Sequence, residues 1–178
     1  MEIERRWLIQ GTLHDFIAER TSRLHFYVES DASIIFSYIE LDKNSSIRMR
    51  EIESAKGVEY VLTVKSGRGL AREESEMFIT KNQYLLLTEN LYKLTLRRVT
   101  MIDEHGIIYE CKQLDSHKII TKDSTVEGFL LEVNFKSEEE ANNFIPPSWL
   151  LKNMEVTYDG TYNMISQYKK MKVRNSQL

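Results

Sequence analysis

The sequence predicts an α+β barrel: mostly antiparallel strands with a few helices at the periphery. Three observations predict it: polar side chains that recur at every second position, short turn signals between those segments, and two helix-capping motifs. The polar repeats read Glu2-x-Glu4-x-Arg6, Arg48-x-Arg50, Thr63-x-Lys65, Arg72-x-Glu74-x-Glu76, Arg98, Glu110-x-Lys112 and Glu132-x-Asn134. Successive side chains of a strand point to opposite faces, so a period of two marks β-structure. In an ordinary half-buried strand the polar face looks at solvent. Here nearly every strand carries both signs of charge on that face, with Ile3, Met49, Leu62, Val64 and Val133 on the other. Closing such strands into a barrel puts the charges inside and the apolar faces outside, under helices. The tunnel so lined suits a polyanion and its divalent metal.

Residues 2–9 read as a strand and 12–23 as a short helix. Residues 25–29, 35–40, 45–53 and 58–66 read as successive strands, the last two joined by a turn at Ser54-Ala55-Lys56-Gly57. Ser66-Gly67-Arg68-Gly69 makes another turn, with Arg68 placed to act as a lip at a tunnel mouth, and 70–79 return as a strand. Thr80-x-x-Gln83 is a capping box opening a helix, with Tyr84, Leu85, Leu87, Leu91 and Tyr92 mostly on one side. Strands 94–102 and 106–114 flank a turn at Asp103-Glu104-His105, and 126–135 is a further strand. Ser137-x-x-Glu140 opens a second helix that must stop before Pro146. Residues 161–172 form a last amphipathic helix striped by Met164, Ile165, Tyr168 and Met171.

A chain of 178 residues is most simply one domain, 1–178, large enough to bury a core without disulfides. The single cysteine, Cys111, alternates with Tyr109 and Gln113 on the face opposite Glu110 and reads as a packed core thiol in a reducing compartment. No basic leader, apolar h-region or membrane-length apolar run is visible, so the expectation is a cytoplasmic protein with no membrane partner. A net charge of −3 argues against nonspecific nucleic-acid binding. The four histidines lack the spacing of a zinc site, and Trp7 and Trp149 read as packing anchors.

The opening Met1-Glu2-Ile3-Glu4-Arg5-Arg6-Trp7-Leu8 is followed in order by Ile47-Arg48-Met49-Arg50, Leu62-Thr63-Val64-Lys65-Ser66 and Gly69-Leu70-Ala71-Arg72-Glu73-Glu74-Ser75-Glu76. Leu131-Glu132-Val133, Phe144-Ile145-Pro146-Pro147-Ser148-Trp149, Val156-Thr157 and Asp159-Gly160-Thr161-Tyr162-Asn163 complete the series. This series resembles the CYTH proteins, or triphosphate tunnel metalloenzymes, over essentially the whole chain, and most closely the short bacterial inorganic triphosphatases. The resemblance implies a closed eight-stranded antiparallel barrel that binds and usually hydrolyses triphosphates with Mg²⁺ or Mn²⁺. Other branches are thiamine-triphosphatases, a class of adenylyl cyclase, and messenger-RNA triphosphatases. A homodimer is compatible with such a barrel.

Triphosphate carries several negative charges along a short chain, so its binder needs several spaced cations. Arg48, Arg50, Arg72 and Arg98 offer planar forks and Lys65 a compact charge. The resemblance implies that these contact the phosphates, together with Arg6, where a Lys is usual, and Lys112. It places Glu2, Glu4 and Glu132 at metal positions, with Asn134 and Glu110 completing that set. The implied reaction is in-line attack of a metal-associated water on the terminal phosphorus, with Glu4, Glu74, Glu76 and Lys65 as the catalytic groups and electrostatics supplying most of the effect.

Four positions depart from the family pattern: Arg6 for Lys, Leu96 for a Lys, Lys112 for an Asp and Asn134 for a Glu. If Arg98 faces Glu110 across its hairpin, Leu96 falls opposite Lys112, and Lys112 supplies the ammonium that Leu96 lacks. Asn134 removes a charge beside the metal positions and predicts weaker metal affinity with phosphate binding retained. Two alternatives follow: a polyphosphate- or nucleotide-binding protein that has lost efficient catalysis, and an adenylyl cyclase, for which no purine-reading motif is visible. A thiamine-triphosphatase would need an aromatic contact, for which Trp7, Tyr38 and Trp149 are the candidates.

Overall fold

The computed structural model describes residues 2–23, 26–67 and 71–176, without the side chains of Glu2, Ala71 and Arg72. Arg68 and Gly69, read from sequence as a turn and lip, lie outside the described residues. The described residues form an antiparallel α+β structure, the class that the alternation predicts. Its strands are β1 (Glu2–Gln10), β2 (Tyr27–Glu40), β3 (Ser45–Ser54), β4 (Gly57–Ser66), β5 (Ala71–Phe78), β6 (Leu94–Ile102), β7 (Ile108–Leu114), β8 (Lys118–Ile120), β9 (Thr125–Asn134) and β10 (Met154–Glu155). The helices are α1 (Leu13–Arg23), α2 (Lys81–Thr88), α3 (Glu138–Asn143), α4 (Ser148–Leu151) and α5 (Met164–Asn175), with a 3-10 turn at Gly160–Tyr162 before α5. The strand order is β10-β1-β5-β4-β3-β2-β6-β7-β9-β8, and β1 also pairs with β9. The β1–β9 pairing runs from Glu4 opposite Asn134 to Gln10 opposite Gly128, whereas β1 meets β5 through Glu2–Arg72 and Ile3–Ala71.

Local chemistry accounts for the joints. Gly57 takes φ +118 in the tight β3–β4 turn, a region that a side chain resists. Thr80 caps α2 through the backbone N–H of Gln83, whose side chain accepts from the Thr80 N–H in return. Ser137 caps α3 and Asn163 caps α5. Residues 25–29 and 35–40 are not separate strands, because Tyr27–Glu40 is continuous. The small polar run Ser30-Asp31-Ala32-Ser33 looks like a loop in sequence. It is held in the sheet because β3 pairs along one edge from Ala32 onward and β6 along the other, with an irregularity between Val28 and Ser30. Asp31 is fixed there by a two-pronged bond from Arg97 at 3.0 and 2.6 Å. The short β8, β10 and α4 carry too few residues to show a period, and the sequence reading misses them.

Two apolar clusters lie on opposite faces of the strands. Trp7, Ile9, Val99, Met101, Tyr109, Cys111, Phe129, Leu131 and Val133 pack beneath Leu13 and Phe16 of α1 and Leu150 of α4. This is the apolar-under-helix face that the alternation predicts, and it holds Cys111 fully buried. Burial, then the charges of Glu110 and Glu132, push the Cys111 thiol far up, so it stays protonated. Trp7 stacks edge-on with Phe144, and Trp149 joins Phe16, Phe26 and Tyr109, which makes both tryptophans packing anchors. The other cluster shares its face with the charges. Leu8, Ile34, Phe36, Leu96, Leu114 and Leu130 pack there against Tyr168 and Met171 of α5. The face that carries the charges is therefore half ionic and half apolar, with α5 covering the apolar half.

Candidate active site

Strand register gathers the polar positions. Arg48 and Arg50 on β3 lie opposite Thr63 and Val61 of β4, and Thr63 and Lys65 lie opposite Glu76 and Glu74 of β5. Arg50 donates to Thr63 Oγ1 at 2.9 Å and to Glu76, and Thr63 in turn donates to Glu76 at 3.0 Å. Lys65 Nζ is 2.7 Å from Glu74, and Arg48 reaches Glu74 at 3.5 Å and Glu76 at 3.7 Å. With Arg98 of β6, Arg48 and Arg50 line a cavity of about 210 Å³ that also touches Glu110, Lys112 and Asn134. The crowding is electrostatic. Burial first, then Arg48 and Arg98 against the relief from Glu76, push the Arg50 guanidinium down to about 10. Among the described residues the buried Nε of Arg98 has no hydrogen-bond partner. Three guanidinium groups facing one small cavity make a place for a multiply charged anion.

A second cluster sits where β1, β7 and β9 meet. Arg6 lies opposite Glu132, and Glu132 lies opposite Glu110. The Arg6 Nε donates to Glu132 Oε1 at 2.8 Å, its Nη2 donates to Glu4 Oε1, and Lys112 Nζ donates to Glu132 Oε2. Lys112 also lies 3.4 Å from Glu110. Burial alone would raise the Glu132 carboxyl, but the charges of Lys112 and Arg6 override it and hold Glu132 well below the usual carboxylate range. The Lys112 ammonium is raised, because Glu132, Glu110 and Glu4 outweigh its burial.

These contacts test the metal set Glu2, Glu4, Glu132, Asn134 and Glu110 that the resemblance implies. The side chain of Glu2 lies outside the described part. Both oxygens of Glu132 already accept from cations, and Asn134 is exposed. Among the described residues, no three carboxylate, histidine or cysteine side chains converge on a point that could hold a metal. A divalent ion wants oxygens that are not already engaged by ammonium and guanidinium groups, so Glu132 as arranged does not fit one.

The expected compensation at Leu96 takes a different form. Arg98 lies opposite Lys112, Thr100 opposite Glu110, and Leu96 opposite Leu114. The register is therefore two residues from the expected one, and Lys112 turns to carboxylates instead of replacing a lost cation. The side chain of Arg72 also lies outside the described part, although its backbone pairs with Glu2. Several residues at the site were not anticipated. Thr63 was legible as part of the polar alternation but not as the bridge between Arg50 and Glu76. A larger cavity of about 470 Å³ joins Arg6, Arg48, Lys65, Lys112 and Glu132 to Tyr38, Thr157, Asn163 and Met164. Met164 lines both cavities, and nothing in the stripe of α5 distinguishes it from a core methionine. Of the aromatic candidates for a thiamine contact, only Tyr38 faces this cavity, since Trp7 and Trp149 belong to the opposite face.

No protein-family model matches the chain. It is 34% identical over 119 residues to an inorganic triphosphatase of Nitrosomonas europaea, covering 65% of this chain and 70% of that protein. The crystal structure of the inorganic triphosphatase NE1496 superimposes with a TM-score of 0.55 at 24% identity, covering 94% of this chain and 92% of the other. HpAC1 from Hippeastrum, an adenylyl cyclase candidate with a dominant triphosphatase activity, superimposes with a TM-score of 0.56 at 15% identity over 96% of each chain. These structural likenesses share the fold, and the sequence relative carries the kinship. With the ordered series of charged strand motifs, they lead to one conclusion: the chain belongs to the CYTH, or triphosphate tunnel metalloenzyme, family.

Proposed function

We propose that this chain is an enzyme that hydrolyses inorganic triphosphate or a related small triphosphate. We further propose that residues 1–178 act as one domain, whose eight long strands enclose a tunnel around the charged face. The observation that carries the reading is the convergence of Arg48, Arg50 and Arg98 on one cavity beside Glu74 and Glu76. The short β1–β5 contact at Glu2–Arg72 supports the tunnel, because it joins strands otherwise at distant places in the pairing order. The relative named for inorganic triphosphate supports the substrate.

In this reading Arg48, Arg50 and Arg98 hold the phosphate oxygens, and the sequence pattern adds Arg72 as a further candidate. Water attacks the terminal phosphorus in line, the bridging P–O bond breaks, and pyrophosphate leaves with its new charge against the guanidinium groups. Glu76 is half exposed and held ionised by Arg50 despite its partial burial, which suits it to accept a hydrogen bond from that water. Lys65 and Glu74 hold each other beside it, and Glu4 holds Arg6. Mg²⁺ or Mn²⁺, if bound during turnover, would supply charge neutralisation for the departing pyrophosphate, with Glu4, Glu110 and Asn134 as the residues that would hold it.

The test is orthophosphate release from inorganic triphosphate, with ATP alongside, at neutral and alkaline pH with Mg²⁺ and with Mn²⁺. Turnover that falls about a hundredfold in Arg50→Met and in Glu4→Gln is expected, the usual loss when one electrostatic contact to the transition state is removed. A folded protein whose melting temperature rises with triphosphate but that releases no phosphate is instead a triphosphate-binding protein. One that neither binds nor turns over triphosphate refutes both readings.

A further inference from the structure

The cluster of Arg6, Lys112, Glu4, Glu110 and Glu132 does something that a metal would otherwise do. Two covalently attached cations face three carboxylates, and the contacts are specific: each oxygen of Glu132 accepts from a different cation, and Arg6 spans Glu132 and Glu4. Glu132 is about 2% exposed and Lys112 lines both cavities, so the pair lies at the junction of the two spaces in which an anion would sit. Remove Lys112, and Glu132 and Glu110 would present two buried or half-buried negative charges to that anion, with Glu132 keeping its hydrogen bond from Arg6. In a partly dry site like charges repel strongly, because little water screens them.

We propose that Lys112 is a built-in counter-charge, which together with Arg6 offsets two of the three charges of Glu4, Glu110 and Glu132, so that the site takes up triphosphate as the metal-free polyanion and Glu132 ligates no metal. The inference rests on triphosphate being the ligand. Lys112 is a positioning residue here: it acts on the anion through the carboxylates that it neutralises and touches no phosphate. The arrangement also gives Asn134 a reason. Two cations facing three carboxylates already leave one negative charge over, and a glutamate at 134 would add a second beside Glu4, to which residue 134 is opposite.

The experiment is calorimetric titration of inorganic triphosphate, with a thermal-shift readout beside it, in excess EDTA and again in Mg²⁺. The wild type is expected to bind in EDTA within about threefold of its affinity in Mg²⁺. Lys112→Met is expected to lose at least about tenfold in EDTA and to regain most of it in Mg²⁺. The pair Lys112→Met with Glu132→Gln removes both charges at once and is expected to recover metal-free binding. Because Lys112→Met alone strands Glu132 and can fail to fold, the pair and the charge-conserving Lys112→Arg decide the matter in its place. Both should bind triphosphate in EDTA. Wild-type binding that requires Mg²⁺ overturns the inference while leaving the triphosphatase reading intact. A double variant as weak as Lys112→Met overturns it too, since Lys112 would then contact phosphate directly. No binding in either condition overturns the inference and the functional reading together.

Discussion

Arg50 lies nearly buried, and that burial first, then the charges of Arg48 and Arg98, works against its charged form. A guanidinium pushed down to about 10 is one whose charged form the folded state disfavours, so at neutral pH the repulsion is fully present and an arriving anion relieves it. Among the described residues, none of the ion pairs of the site includes Arg98. Arg98→Met is therefore expected to raise the melting temperature of the free protein by about 2 to 4 °C, near 1 kcal/mol for a chain of this size, while shrinking the rise produced by triphosphate. A melt of both proteins with and without ligand checks it; a fall in the free melting temperature would show that Arg98 supports the fold. Glu132 behaves in the opposite sense. Its carboxyl is depressed, so its contribution is complete above the ordinary glutamate value of 4.5 and is lost as pH falls through the lower folded value. Stability measured by denaturant from pH 7 to pH 3 should begin to drop as the pH falls below about 4.5. Glu132→Gln should flatten the drop while being less stable at pH 7, where it leaves Lys112 and Arg6 short of a partner.

At the scale of the element, the close approach of β1 and β9 places a stringent demand on Gly128. A Cβ there would meet the carbonyl oxygen of Ile9 at 2.3 Å, and backbone cannot swing aside as a side chain can. Gly128→Ala is expected to destabilise by about 1 to 3 kcal/mol, the range of overpacking, and to loosen hydrogen-exchange protection along β1 before β3. The capping box of α2 is milder: Thr80→Ala should cost about 1 kcal/mol, read by urea unfolding. It was legible in sequence because Thr80 and Gln83 stand three apart at the start of an apolar stretch. The join of β2 was not. Ser30, Asp31 and Ser33 look like loop residues until β3 and β6 are present to pair with them, and Arg97, which fixes Asp31, is distant in sequence.

Across the whole molecule, the alternation of charge was the legible signal, because the period of two is a property of the strand itself. It marked Arg48, Arg50, Lys65, Glu74, Glu76, Arg98, Lys112 and Glu132 as sharing one face, and register then brought them together around two joined cavities. What the pattern did not contain was the lateral register between strands. That register sets Arg98 opposite Lys112 instead of Glu110, and so turned an apparent replacement for Leu96 into a partner for Glu132. Nor could periodicity show that the same face becomes apolar beyond Leu8, Leu96, Leu114 and Leu130, where α5 packs. Among the described residues no helix is long and apolar enough to cross a membrane. The most direct test of the central claim is a crystal structure with inorganic triphosphate bound. The phosphates are expected on the charged face, within hydrogen-bond reach of Arg48, Arg50 and Arg98. Triphosphate held elsewhere, with those three guanidinium groups untouched, would contradict it.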